Sequence, residues 1–430
     1  RSPSRGLGDV YKRQLLFCAL GFASSCSNML DQYSHSAIPP EAVTEKDLPA
    51  LRLGMYNRVQ NEPQTRSFIM CDILGGDITQ SNYNPIDVIN STLSPLNSAI
   101  VNGWNGYYSA LYQVNNLLAV TAQFPDSEIS VRARGEAHYF RAYIYFCLVS
   151  RWGGVPLLRE NTLDKLPRSP AADVWALIEE DLDTAASLLD TSESYYYVSR
   201  NAALALKARV MLSQGKMTEA ARLAEDLITS GPYKLDSFDK IFRKKANTEI
   251  IFAFENISEE SSINISDLFY TYGHPNKGQG VYRLPASTVE LFGANDTRKE
   301  MSVINIAGTD CLNKYPSGQT GKDPVIVSRI AELYLISAEA QGRAKGVGRL
   351  NELRRERGLD DIYPASDAAY VDAVLDERRR ELLGENFIYH DMVRTGRAVE
   401  RLGIQKFQLL LPIPGKELQL NPLLEPNPGY

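Results

Sequence analysis

Residues 202–232 read AALALKARVMLSQGKMTEAARLAEDLITSGP. Apolar side chains at Ala203, Leu206 and Val210 fall three and four positions apart, so they share one helix face. Gly215-Lys216 interrupts the run. A second stripe follows at Ala220, Leu223, Ala224, Leu227 and Ile228, and Gly231-Pro232 stops it. The stretch predicts a helical hairpin with a glycine turn and small alanines at the packing seam. One such pair leaves an apolar face open, and stacking neighbouring pairs buries it.

The same spacing recurs on both sides. Upstream, Ala133, Ala137, Phe140, Ile144 and Leu148 form one stripe, ended by Trp152-Gly153-Gly154-Val155-Pro156. Ser169-Pro170 then opens a helix whose stripe is Val174, Leu177, Ile178, Leu182, Ala185 and Leu189. Downstream, Ile330, Leu333, Tyr334, Ser337 and Ala338 make an arm. Gly342, Gly346 and Gly348 read as its turn, and Leu350 and Leu353 as the returning arm. The expected fold is mostly α: a tetratricopeptide-like helical-repeat scaffold with pairs over about 130–230 and 325–395.

Residues 60–100 and 255–325 lack this period and are rich in Asn, Ser, Gly, Tyr and Pro. They are too long to be simple connections, so they predict an inserted, irregular, loop-rich lobe. Ile250-Ile251-Phe252-Ala253-Phe254 is a short strand candidate, and the Pro-rich ending reads as a tail laid across the surface.

The 430 residues are 44% hydrophobic and carry a net charge of -6 with both signs mixed, which argues against nucleic acid as a partner. The five cysteines (Cys18, Cys26, Cys71, Cys147, Cys311) include no CxxC, and the four histidines are scattered, so no metal ligand set is expected. Cys147 lies in an apolar helical run and reads as core. Whether Cys71 and Cys311 pair is left open. No nucleophile elbow, HExxH, P-loop or dinucleotide motif occurs. Asp181 and Asp183 read as the wet face of a helix, and no catalytic residue and no cofactor is expected.

Residues 1–25 read as a non-native stretch, Arg1 to Gln14, overlapping a lipoprotein signal. Lys12 and Arg13 supply the basic start, Leu15 to Ala23 the apolar run, and Ser24-Ser25-Cys26 the end. The run is far short of the ~20 residues of a spanning helix, whereas acyl chains on Cys26 would anchor the protein. A plain secretory signal is the alternative. Residues 26–430 are expected to form a single domain.

Read in order, several segments resemble the SusD/RagB family. They are Arg141 to Phe146 with Leu148-Val149 and Trp152 to Leu157; Ala205 to Val210 with Gly215-Lys216; and Ala331 to Leu335 with Ala338-Glu339-Ala340, Leu350-Asn351 and Arg354. Glu377-Arg378, Glu381-Leu382, Asp391 and Arg394 follow. The ending Leu411-Pro412-Ile413-Pro414, Glu417, Asn421-Pro422 and Asn427-Pro428-Gly429-Tyr430 is similar to the family's close. Ile388 stands where the family usually has Arg, and Pro426 where it has Gln. The acidic residues that often follow the lipidated Cys are reduced to Asp31.

The resemblance implies a non-enzymatic, lipid-anchored protein of the outer membrane, displayed on the cell surface. It would capture a glycan, or a peptide in some members, and deliver it to a SusC-like, TonB-dependent transporter. A tetratricopeptide-type scaffold for protein partners is the other reading.

Sugar rings stack on aromatic faces, and their hydroxyls need amide, carboxylate or imidazole partners. Two stretches offer both. One holds Asp77, Tyr83, Asn84 and Asp87, with Trp104, Tyr107 and Tyr108 beyond, which serve equally well as core. The other holds Tyr270, Tyr272, His274, Asn276 and Tyr282. Tyr195-Tyr196-Tyr197 and Trp152 read as packing. Arg209, Arg354 and Arg378 read as solvated or interhelical ion pairs.

Overall fold

Ten helices of seven residues or more occur among the described residues. They are α1 (Leu48–Asn61), α2 (Ser98–Thr121), α3 (Glu128–Trp152), α4 (Ala171–Leu188), α5 (Arg200–Ser213), α6 (Met217–Ser230), α7 (Ile330–Ala340), α8 (Gly342–Glu356), α9 (Asp367–Leu382) and α10 (Ile388–Arg394). The computed structural model describes residues 43–81, 89–90, 92–191, 194–257, 261, 263–321 and 323–430. The expectations placed on Cys18, Cys26, Asp31, Tyr83, Asn84 and Asp87 lie outside these residues. The chain divides into units 1–47 and 48–430; in the first, Glu45–Asp47 make one 3-10 turn.

The hairpin read from 202–232 is α5 and α6. Ser199 caps α5 by accepting the Ala202 N–H at 3.2 Å. Gly215, at φ 72°, makes the turn in a conformation that costs a residue with a Cβ. Each helix from α1 to α7 packs on the next, and α7 packs also on α8 and α9. Every scaffold helix thus buries its stripe against its neighbours, as a stacked array requires. The stripe read for α4 is fully buried from Val174 to Ala185. The α3 stripe was too narrow a reading. Tyr139, Phe140, Ala142 and Tyr145 are all buried, because α2 and α4 flank α3 and the strand at 250–254 supplies Phe252 and Phe254.

Among the described residues, six short strands pair as two-stranded ribbons: β1 (Thr79–Gln80) with β3 (Tyr282–Arg283), β2 (Ile250–Phe254) with β6 (Val325–Arg329), and β4 (Val303–Ile306) with β5 (Thr309–Leu312). All are antiparallel. Between 255 and 321 no described helix exceeds four residues, so the loop-rich lobe is present there. In the 60–100 stretch, Thr65–Phe68 and Met70–Leu74 are short helical turns, mostly buried.

Three further readings change. Gly346 and Gly348 are not turn residues; they lie inside α8, and only Gly342, at φ 68°, turns the chain. A Cβ on Gly346 would sit 1.9 Å from the Ala338 carbonyl oxygen, so this glycine is a point of close helix approach. Asp181 is not on a wet face. It is buried and forked by Arg141, at 2.7 Å through both Nε and Nη2, whereas Asp183 is exposed. Arg209, Arg354 and Arg378 do pair between elements, with Glu332, Glu377 and Asp391, but all three pairs are largely shielded from solvent. Cys71, Cys147 and Cys311 are buried free thiols.

The lobe is tied to the scaffold by buried charges. Arg329, at the end of β6, reaches Glu249 at 2.6 Å and Glu385 at 2.9 Å. Arg357 bridges Glu249 and Glu381 at 3.0 and 2.9 Å. From the lobe, Arg298 contacts Glu377 and Glu381 at 2.7 and 2.8 Å, and Lys314 contacts Glu385 at 2.7 Å. Desolvating so many ions is costly, and mutual pairing offsets it only because each charge has several partners. The tail is more than a surface strap: Asn427 is buried and donates to the carbonyls of Trp152 and Leu411 at 3.0 and 2.8 Å. Trp152 is a packed corner whose Nε1 donates to the Pro412 carbonyl at 3.0 Å. No described helix is long and apolar enough to cross a membrane.

Candidate functional site

The loop 264–283 folds on itself through polar contacts that its sequence makes available. Asn264 accepts the Asp267 N–H at 3.0 Å and donates to the Gly318 carbonyl at 2.7 Å. Gln279 N–H donates to the Asp267 carbonyl at 2.6 Å, closing the loop's base. Asn276 donates to the Pro316 carbonyl at 2.5 Å and accepts the Gln319 N–H on its own carbonyl at 3.0 Å. Gly318 is required there, since a Cβ would sit 1.6 Å from that Asn276 oxygen. Loops 264–283 and 313–321 therefore interlock, with these backbone polar groups paired inside the protein.

Tyr270 anchors the assembly from inside. It is 1% exposed, and its hydroxyl donates to Asn313 Oδ1 at 3.0 Å. Burial pushes its phenol up to about 12, so it remains a neutral donor. The His274 ring leans on Tyr270 at 4.3 Å and stays half-exposed. Two residues on, Tyr272 is 73% exposed, with no hydrogen bond or ring contact among the described residues. Asn276, Lys277 and Gln279 of the same loop are exposed as well.

The six described candidates thus separate. Tyr272 is exposed and His274 half-exposed. Tyr270 lies directly beneath His274, and Tyr282 is buried in β3 with its hydroxyl 3.2 Å from Arg66 Nε. Asp77 has no exposure, because Arg379 grips its carboxylate at 3.1 Å through Nε and Thr288 adds a hydroxyl at 3.3 Å. Trp104 is 3% exposed and sits edge-on to Trp152 at 5.4 Å in the α2–α3 core. As ligand contacts, Asp77, Trp104, Tyr270 and Tyr282 need correction, since burial leaves them no face for a ligand. Lys277 and Gln279 went unremarked in the sequence. Their signal was the density of polar side chains and glycine between Thr271 and Gly280.

Fold and surface together define a stacked-helix protein that carries a loop lobe presenting the exposed Tyr272 ring. The chain belongs to the SusD/RagB family. Residues 28–212 match the family model described as starch-binding associating with outer membrane, and residues 308–408 match the SusD family model. A SusD-like protein P38 of Formosa agariphila is 25% identical over 97% of this chain and 98% of its own length. Among solved structures, a laminarin binding SusD-like protein superposes with TM-score 0.76 at 23% identity, over 90% of this chain and 100% of that one. Surface glycan-binding protein A from Bacteroides fluxus gives 0.76 at 21%, with the same coverage.

Proposed function

We propose that this protein captures a glycan at the cell surface, with the lobe around Tyr272 as the contact face. The observation that carries the reading is the bare Tyr272 ring on interlocked loops. An exposed aromatic face held on a rigid support loses little conformational freedom on binding, and its apolar surface suits the C–H face of a sugar ring. His274, Asn276, Lys277 and Gln279 would address the hydroxyls. Support also comes from the laminarin binding and surface glycan-binding relatives of the same fold. In this reading Cys26 carries the lipid anchor in the outer membrane, and a TonB-dependent transporter receives the ligand. Capture needs no covalent step, so the protein acts as a binder and not as an enzyme.

An affinity screen against polysaccharides and peptide digests tests this, with Tyr272→Ala as the comparator. Binding to one glycan class without product release is expected. The variant should weaken it about tenfold, roughly 1–2 kcal/mol for one lost stacking contact. Unchanged affinity in the variant would remove Tyr272 from the site. Binding confined to peptides would move the cargo to that class, and released sugar would make the protein an enzyme.

A further inference from the structure

Seven arginines are buried among the described residues: Arg141, Arg151, Arg209, Arg298, Arg329, Arg357 and Arg378. Six of them hold a carboxylate within 3 Å. Arg151, 4% exposed at the end of α3, holds none. Its Nη1 donates to the Tyr107 hydroxyl at 2.6 Å and its Nη2 to the Ser67 carbonyl at 3.0 Å, both neutral acceptors, and its Nε has no partner. A buried guanidinium without a counter-charge is costly.

Arg151 also lines a cavity of about 50 Å³, walled by Phe68, Tyr143, Phe146, Cys71 and Cys147. One water needs only about 10–15 Å³ of such space. Arg209 lines it too. That side chain is neutralised by Glu332 through Nε and Nη2, at 2.6 Å each, and its Nη1 makes no hydrogen bond.

The acids nearby are already engaged. Glu385, also in the wall, binds Arg329 and Lys314. Asp72, beside Cys71, accepts the N–H groups of Gly384 and Asn386 at 2.8 Å each. Burial lifts the Cys71 thiol to about 11, so a thiolate does not supply the charge at neutral pH. Cys71, Cys147 and His390 share the walls, but no metal-binding group forms among the described residues.

We propose that this cavity is a binding site for a small monovalent anion of halide size, held by the guanidinium groups of Arg151 and Arg209 that line it. One uncompensated positive charge sets the valence. The unbonded nitrogens are Arg151 Nε and Arg209 Nη1, and the aromatic walls add no donor for the many oxygens of sulfate or phosphate, which call for several donors each. The site fixes the end of α3 against the turn at Met70–Leu74, and it is independent of the glycan reading.

Crystals of the full chain grown in sodium bromide and measured at the bromine edge give the direct test. An anomalous peak in the cavity, within hydrogen-bond reach of the Arg151 guanidinium, is expected. In solution, sodium bromide should raise the thermal midpoint by about 1–3 °C over sodium gluconate at equal ionic strength. Arg151→Met should abolish that difference. Should Arg151→Met fail to fold, Cys147→Met, which fills the cavity and keeps Arg151, should abolish it as well. A cavity holding only water in the bromide crystals, or equal midpoints of the wild type in both salts, would overturn the proposal.

Discussion

Glu377 shows what a single buried charge decides in this fold. Burial alone would push its carboxyl up, but Arg298, Arg380 and Arg354 prevail and hold it at about 2 against an ordinary 4.5. A depressed carboxylate contributes stability that is present above the unfolded value and lost as pH falls through the folded one. Glu377→Gln should therefore destabilise the protein by about 3 kcal/mol at pH 7. The gap should close as pH falls from 4.5 towards 2, where the wild type becomes protonated too. Urea midpoints of both proteins across that range check this, and a gap that stays constant would refute it. Residue-scale chemistry was only partly legible in the sequence. Asp181 sits four residues after Leu177 and three after Ile178, inside the apolar stripe, so its burial was readable and was overlooked. The partner of Asp77 was not readable, because Arg379 lies 302 positions away and only the fold brings them together. Tyr272 and Tyr270 share a composition window, and nothing in it says which of the two faces solvent.

At the scale of elements, stripes and stops carried the reading well. The α5–α6 hairpin and the strand at 250–254 were legible because periodicity and glycine punctuation are local signals. The α7–α8 hairpin was legible in outline but not in its glycines, since close approach between helices leaves no mark distinct from a turn. This yields a matched pair of substitutions. On Gly346, a Cβ would meet the Ala338 carbonyl at 1.9 Å and the Tyr370 hydroxyl at 2.7 Å. Gly346→Ala should thus cost at least about 1–3 kcal/mol by forcing α7 and α8 apart. On Gly348, two residues along the same helix, a Cβ would meet nothing within 4 Å. Gly348→Ala should stabilise by about 0.5–1 kcal/mol, the ordinary helix-interior difference. Thermal or urea unfolding of the two variants gives opposite signs if close approach is the reason for Gly346. Equal and favourable shifts would show that the hairpin seam is not packed so tightly.

At the scale of the whole unit, residues 48–430 combine a stack held by apolar stripes with a lobe that has little helix of its own. The stack was foreseeable from spacing. The means of joining lobe to stack was not, because the joining charges are scattered from Glu249 to Glu385 and read individually as surface ions. Glu381 stands where they converge. It meets Arg298 from the lobe at 2.8 Å and Arg357 at 2.9 Å, and its backbone carbonyl accepts Lys314 Nζ at 2.8 Å. Arg298 and Lys314 flank the β4–β5 hairpin, so losing the Glu381 carboxylate leaves positive charges buried on the lobe side with fewer partners. The consequence should be local before it is global. In Glu381→Gln, amide protons of β4 and β5 should exchange about tenfold or more faster, which corresponds to an opening easier by at least roughly 1.4 kcal/mol. Protection in α5 and α6, which rest chiefly on apolar seams with their neighbours, should change less. Native-state hydrogen exchange on wild type and variant separates the two regions. Loss of protection confined to β4–β5 would establish the charges as the joint between lobe and scaffold, and a uniform loss would mean that both halves share one cooperative core.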